Sequence, residues 1–351
     1  MTQKKSFVCD YLEGAHPLIL QKFLETNMVQ CPGYGHDPYT KSAKKKIREA
    51  IGDQSADIFL LTGGTQTNST IIATMLQPYE GVVAVNTGHI AVHEAGAVEY
   101  TAHKVLTIPG KDGKMDADTL DAYMQAFSDD GNHDHMVFPG MAYISFPTEY
   151  GTIYSKSELE AIHGVCRKWN IPLFIDGARL GYGLAAEGGD VALTDLKDLC
   201  EVFYIGGTKV GALCGEAVVF PNNGSPAHFF TMVKQHGALL AKGRLTGVQF
   251  DVLFTDGLYM QIAKNAVALA MKMKKMFLDK GYSLHMDSPT NQQFIILDSE
   301  RMRQLSEFVD YEIWEPLPDG RTVVRFATSW ATTQEDLDYL EKVLEQFPAG
   351  K

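Results

Sequence analysis

Short apolar runs alternate along the chain with stretches whose apolar positions recur at helical spacing. The apolar runs predict strands at 57–61, 82–86, 104–108, 141–146, 172–176, 202–205 and 216–220. The amphipathic stretches predict helices at 16–29, 41–51, 66–76, 91–100, 116–127 and 157–169. The last helix is preceded by Ser155-Lys156-Ser157-Glu158, a capping sequence. Strand and helix in turn form the βαβ pattern of a mostly parallel sheet covered by helices. After Pro221 the rhythm changes. A largely helical region over about 227–278 leads to short strands at 293–297 and 322–328 and a final helix near 333–347. The expected fold class is α/β. A large α/β domain with its N-terminal segment would occupy residues 1–245, and a connecting helix with a small α+β C-terminal domain would occupy 246–351.

Composition narrows the function classes. With 45% hydrophobic and 21% charged residues and no low-complexity tract, the 351 residues suffice for a large buried core. The net charge of −12 argues against nucleic acid or an anionic membrane as partner, since both require a cationic face. A small anionic ligand needs only a local patch. The basic cluster Lys41 to Arg48 has the spacing of a solvated helix face. Five cysteines without CxxC spacing suit reduced thiols, and no stretch is apolar enough for a signal peptide or membrane span. The expectation is a soluble cytoplasmic protein.

Two strand ends carry the chemistry. Ile171-Pro-Leu-Phe-Ile-Asp176-Gly-Ala-Arg179 and Phe203-Tyr-Ile-Gly-Gly-Thr208-Lys209-Val-Gly each run from an apolar strand into a glycine-rich turn holding a charge. Open α/β sheets bind ligands at such ends. One offers a carboxylate and the other a lysine. Pyridoxal 5′-phosphate (PLP) uses that pair, the lysine for a Schiff base and the acid to hold the pyridine nitrogen protonated. A lysine in a buried turn has its pKa lowered, which frees the amine as a nucleophile.

The segment Leu60-Leu-Thr-Gly63-Gly64-Thr65-Gln-Thr-Asn68 passes from strand to helix through two glycines. By itself it reads as a Thr-capped glycine turn. Beside a Schiff-base lysine it reads as a phosphate site built from helix N-terminal amides. It matches neither GxGxxG nor GxxxxGK[ST]. Arg179, three residues after Asp176, and Arg325, isolated in an apolar strand, are candidate carboxylate forks or plain ion-pair partners. His89 follows a third strand end and is placed to stack on a cofactor ring. His89-Ile-Ala-Val-His93-Glu94 fits neither zinc order, HExxH or HxxEH, and no metal is expected.

Together these segments resemble the threonine aldolase and β-eliminating lyase family of PLP enzymes, with the aspartate-aminotransferase-like fold (fold type I). The resemblance spans nearly the whole chain, through Gly33-Tyr34-Gly35-His36-Asp37, Gly63-Gly64-Thr65, Asn68, Gly88-His89-Ile90, Glu94-Ala-Gly96-Ala97, Asp176-Gly177-Ala178-Arg179, Thr208-Lys209 and Arg325. It implies a PLP-binding large domain in which Lys209 carries the cofactor, Asp176 faces the pyridinium nitrogen and His89 stacks on the ring. Gly64 and Thr65 would hold the phosphate, Gly63, Thr208 and Arg179 would also contact the cofactor, and Arg179 and Arg325 would bind the substrate carboxylate. Homodimers or homotetramers with interface active sites are also implied, in which Tyr34 and, less directly, Arg244 reach a neighbour's cofactor.

Two departures stand out. Glu149, in Ser145-Phe-Pro-Thr148-Glu149-Tyr-Gly151, occupies the place of a histidine often credited with handling the β-hydroxyl. Cys9-Asp10 replaces a Ser-Asp pair in the substrate-binding segment. The implied activity is cleavage of L-threonine, L-allo-threonine or related β-hydroxy-α-amino acids to glycine and an aldehyde, with Glu149, His89 or a water as base. A PLP-dependent β-eliminating lyase or aminotransferase remains the alternative.

Overall fold

The computed structural model describes residues 4–349. Seven strands form the large sheet: β1 (Asp57–Leu61), β2 (Glu80–Val85), β3 (Val105–Ile108), β4 (Phe138–Ser145), β5 (Leu173–Asp176), β6 (Val202–Gly206) and β7 (Glu216–Phe220). Their spatial order is β1-β7-β6-β5-β4-β2-β3. The run β6-β5-β4-β2-β3 is parallel, and β7 is antiparallel to both its neighbours. Strands buried on both faces explain why β5, β6 and β7 read as apolar runs apart from Asp176 and Glu216 at their ends. One face packs through Ile175, Phe203 and Val219 on the main core, and the other through Tyr143, Phe174 and Tyr204.

A second, antiparallel sheet of β8 (Ser283–Met286), β9 (Gln292–Leu297), β10 (Glu312–Pro316) and β11 (Thr322–Ala327) has the order β10-β11-β9-β8. It shares a separate core with the helices Leu258–Asp279 and Gln334–Gln346. The start of the chain joins this C-terminal half. Lys5–Ser6 pairs with Val309–Asp310, and the Ala327 amide donates to the Phe7 carbonyl. Phe7 is buried in the same cluster, so the segment leading to Asp10 is anchored on the small sheet.

The strand and helix positions follow the hydrophobic pattern closely, with local differences. The expected helix over 91–100 is two short helices, His89–Val92 and Ala97–Tyr100, separated where Ala95 and Gly96 both adopt positive φ. The helical region after residue 227 is likewise broken into Phe229–Gln235, Arg244–Leu253 and the 22-residue helix Leu258–Asp279. Ser155 and Glu158 form the expected capping box of the helix Lys156–Trp169. The basic cluster departs from a solvated face. Lys44 lies over the Phe59 ring, burial pushing its amine down to about 8, while Lys46 is tied to Asp251. Tertiary packing of the helix Pro38–Ile51 explains the difference. Among the described residues no helix is long and apolar enough to cross a membrane.

Candidate active site

Strand ends and the turns after them surround a cavity of about 290 Å³. It brings together Gly63, Gly64, Thr65, His89, Glu149, Asp176, Arg179, Thr208 and Lys209, residues drawn from across 147 positions of sequence by the crossovers of a parallel sheet. Cys9, Tyr34 and Arg325 do not line it.

Asp176 ends the central strand β5 and is buried. Its Oδ1 accepts from the Tyr204 hydroxyl and from the Ala178 amide at 2.9 Å. Its Oδ2 accepts from the Tyr143 hydroxyl at 2.6 Å and from Asn68 Nδ2 at 2.9 Å. Burial pushes this carboxyl up, but the His89 charge and the tyrosine hydrogen bonds outweigh it and hold Asp176 below the ordinary carboxylate range. Sheet register supplies the cage. Tyr143 on β4 stands opposite Phe174, two residues before Asp176 on the same face, and Tyr204 follows the paired Phe203 on β6. The turn after Asp176 must then pass close to β6. A Cβ on Gly177 would lie 1.9 Å from the Tyr204 carbonyl oxygen, so only glycine fits.

Lys209 leaves β6 through Gly206-Gly207-Thr208. Burial and the nearby Arg179 charge lower its pKa against the opposing pull of Asp10, Asp176 and Glu216. No hydrogen bond or ion pair among the described residues engages its Nζ, which lies 6.0 Å from the Tyr11 ring centroid. This is an amine kept available rather than spent on structure.

His89 opens a short helix after β2. Its Nδ1 is 2.8 Å from Glu94 Oε1, and the same carboxylate oxygen accepts from Asn68 Nδ2 at 2.7 Å. Asn68 thus gives one amide proton to Glu94 and the other to Asp176, and links the imidazole to the central carboxylate. Glu149 is buried. Its Oε1 accepts from the Ser145 hydroxyl at 2.5 Å and from the His89 amide at 2.9 Å, while Oε2 has no partner among the described residues. Burial raises its pKa.

Arg179 is gripped in bidentate fashion by Asp10, with Nε 2.7 Å from Oδ2 and Nη2 3.0 Å from Oδ1. Asn291 Nδ2 also donates to Asp10 at 2.9 Å. Burial raises the Asp10 carboxyl, yet Arg179 and Lys209 override it and bring it down to about 2. Arg179 Nη1 carries no hydrogen bond among the described residues, and Arg179 is one of the residues that line the cavity. Arg325 on β11 donates to Gln292 Oε1 at 3.0 Å and the Val8 carbonyl at 3.1 Å, with its guanidinium 5.1 Å from the Trp314 ring centroid. Cys9 is buried beside Asp10. Tyr34 is 43% exposed on a different surface, beside Phe230 and Lys234. Arg244 is committed to carbonyls of its own chain, those of Val29 at 2.7 Å and Thr26 at 2.6 Å.

The model of the family described as beta-eliminating lyase matches residues 20–298. The chain belongs to the beta-eliminating lyase family. A "Low specificity L-threonine aldolase" of a Pseudomonas species (strain NCIMB 10558) is 27% identical over 335 residues, covering 95% of this chain and 94% of that protein. A solved Leishmania major threonine aldolase is 38% identical with a TM-score of 0.95, covering 98% of this chain and all of that one. An aspartate aminotransferase from Thermus thermophilus superposes with a TM-score of 0.70 at 14% identity, a likeness of fold alone. In this member of the beta-eliminating lyase family, Tyr143, Tyr204, Glu94, Asp10 and Glu216 also shape the site, and the sequence reading assigned a role to none of them. Asp10 had the clearest signal, a carboxylate beside the already noted Cys9. The tyrosines had none, because only strand register sets them around Asp176.

The Asp10–Arg179 pair carries a stability prediction. Its folded carboxyl titrates below the ordinary value of 3.8, so the pairing stabilises the fold above that pH. The contribution is lost as pH falls from 3.8 to about 2. Asp10→Asn is expected to cost about 3 kcal/mol at neutral pH, since it leaves a buried guanidinium uncompensated, and to flatten stability against pH in that acid window. Urea unfolding of both proteins at neutral and acid pH measures this.

Proposed function

We propose that the chain is a PLP-dependent carbon–carbon lyase that cleaves L-threonine, L-allo-threonine or related β-hydroxy-α-amino acids to glycine and an aldehyde. The observation that carries the reading is an unpartnered, part-buried amine, Lys209 Nζ, sharing one cavity with a carboxylate held ionised by four donors, Asp176. The cavity also fits the cofactor's phosphate. The helix Gly64–Met75 has no side-chain cap, and a Cβ on Gly63 would meet nothing within 4 Å, leaving open space before its first amides. The low-specificity threonine aldolases among its relatives support the choice of substrate.

Bound PLP would supply an electron sink for carbon–carbon cleavage. Lys209 would hold it covalently, Asp176 would keep its ring nitrogen protonated, and Gly63, Gly64, Thr65 and Thr208 would hold its phosphate. His89, its ring set by Glu94, would press on the cofactor face. Arg179, with one face clamped by Asp10, presents Nη1 to the substrate carboxylate. Arg325 holds the Val8 carbonyl and so fixes the segment that delivers Asp10. Glu149 Oε2 accepts the β-hydroxyl proton where the family more often uses histidine. Its raised pKa makes the carboxylate a stronger base. Tyr34 would reach the site of a neighbouring copy in a homodimer or homotetramer.

Incubation with threonine is expected to release glycine and acetaldehyde in equal amounts. Release of pyruvate and ammonia would instead assign β-elimination. Glu149→Gln is expected to lower kcat by about 10²–10⁴-fold, the usual worth of a general base. Because Glu149 must be ionised to act, kcat/KM should fall as pH drops through its raised pKa, above the ordinary 4.5. That limb should disappear in the variant, and a pH–rate profile of both proteins tests it.

A further inference from the structure

Glu216 is a buried carboxyl that the mechanism above does not use. It opens β7 and is 3% exposed, yet it lines the same cavity as Gly63, Gly64 and Thr65. Its Oε2 accepts from the Gly207 amide at 3.2 Å, and its Oε1 lies 2.8 Å from Thr208 Oγ1. Thr208 Oγ1 in turn accepts from the Gly215 amide at 3.1 Å. A second negative charge beside a bound phosphate would be repelled in so dry a place.

Proton counting resolves the conflict. When Glu216 is ionised, the Thr208 hydroxyl proton is committed to the carboxylate and nothing is offered to the phosphate. When Glu216 is neutral, its own proton can lie between Oε1 and Thr208 Oγ1. The Gly215 amide and Glu216 then fill both lone pairs of Thr208, and the hydroxyl proton is free to turn into the cavity. We propose that Glu216 is a positioning residue for the cofactor phosphate: its neutral form donates to Thr208 Oγ1, releases the Thr208 hydroxyl to the phosphate, and makes affinity for phosphorylated cofactor proton-linked. This rests on the PLP reading above.

The surroundings favour the neutral form. Burial pushes Glu216 up to about 8, with Asp176 at the end of β5 adding to the effect. The Thr208 hydrogen bond, Lys209 from the adjoining turn and the Gly207 amide oppose it. The other titratable groups facing it are Tyr204 on β6 and Tyr259 on the helix Leu258–Asp279, both raised and uncharged. The segments Thr62–Thr65 and Thr246–Phe250 around this turn contribute no charge beside it.

The sign follows from linkage. Binding retains a proton, so affinity is full while Glu216 is neutral and falls as pH rises through its raised pKa. Equilibrium dialysis of the chain loaded with PLP, and separately of the chain loaded with pyridoxal, tests it between about pH 6.5 and 9.5. The wild-type dissociation constant for PLP is expected to rise by about tenfold per pH unit above about 8. Glu216→Gln, a permanent donor of similar shape, should show a much flatter profile, while pyridoxal should give parallel profiles in the two proteins. Parallel PLP profiles would overturn the role of Glu216 and leave the cofactor reading intact, whereas no PLP binding by wild type at any pH would overturn both. If Glu216→Gln does not fold, Thr208→Val carries the test. It should bind PLP more weakly at neutral pH and lose the steep loss of affinity above about pH 8, and a wild-type slope in that variant would overturn the inference.

Discussion

Lys209→Ala is expected to lower threonine cleavage by on the order of 10⁴–10⁶-fold, the range seen when a covalent nucleophile is removed. Lys209 is a part-buried amine whose neighbours Asp176, Asp10 and Glu216 are each taken by other donors, so no acid claims its Nζ. Burial and Arg179 lower its pKa, which increases the neutral fraction able to attack a carbonyl. Truncation to Ala should remove the covalent link to the cofactor and leave the phosphate site untouched. Treating wild type with borohydride and digesting it should place the label on the peptide containing Lys209. The variant should bind PLP reversibly and carry no label. A labelled variant, or one with wild-type turnover, would remove Lys209 from its role.

Asp176→Asn is the second large effect. Turnover should fall by about 10²–10³-fold, the usual cost of losing one preorganised electrostatic partner, with cofactor still bound at one per chain. The wild-type carboxylate receives four hydrogen bonds and titrates below the ordinary value, so it stays ionised throughout neutral and mildly acid pH. It therefore adds no limb to the pH–rate profile in the range where Glu149 does. An amide at this position is nearly isosteric but carries no charge and cannot keep a pyridine nitrogen protonated. Thermal unfolding beside kcat separates a loss of charge from a loss of fold. Unchanged kcat in a folded variant would contradict the electron-sink role.

The two large effects differ in how legible they were. Lys209 and Asp176 were evident because each breaks an apolar run at a strand end, and a charge there needs a reason. The cage around Asp176 was not. Tyr143 and Tyr204 look like ordinary core aromatics in sequence, and Asn68 like a polar residue on a helix. They become partners of one carboxylate only through the register that pairs β4 and β6 with β5. Arg179 was identified as a carboxylate fork, but half of that fork is already taken by Asp10, 169 residues earlier in the chain. Arg325 reads in the same way, and in the fold its guanidinium donates to Gln292 and the Val8 carbonyl.

Sequence alone thus determined most of the strands and helices, a large mostly parallel sheet and the residue types of the site. Periodicity and glycine turns are local properties, and the hydrophobic effect reads them directly. Tertiary structure alone decided which proton each group holds. Lys209 is unclaimed, Asp176 stays ionised, Glu149 is a raised carboxyl with one free oxygen, and Glu216 is poised between two states. Each of these depends on burial and on donors supplied by distant strands, because a charge in a dry cavity is governed by its neighbours in space and not by its neighbours in the chain.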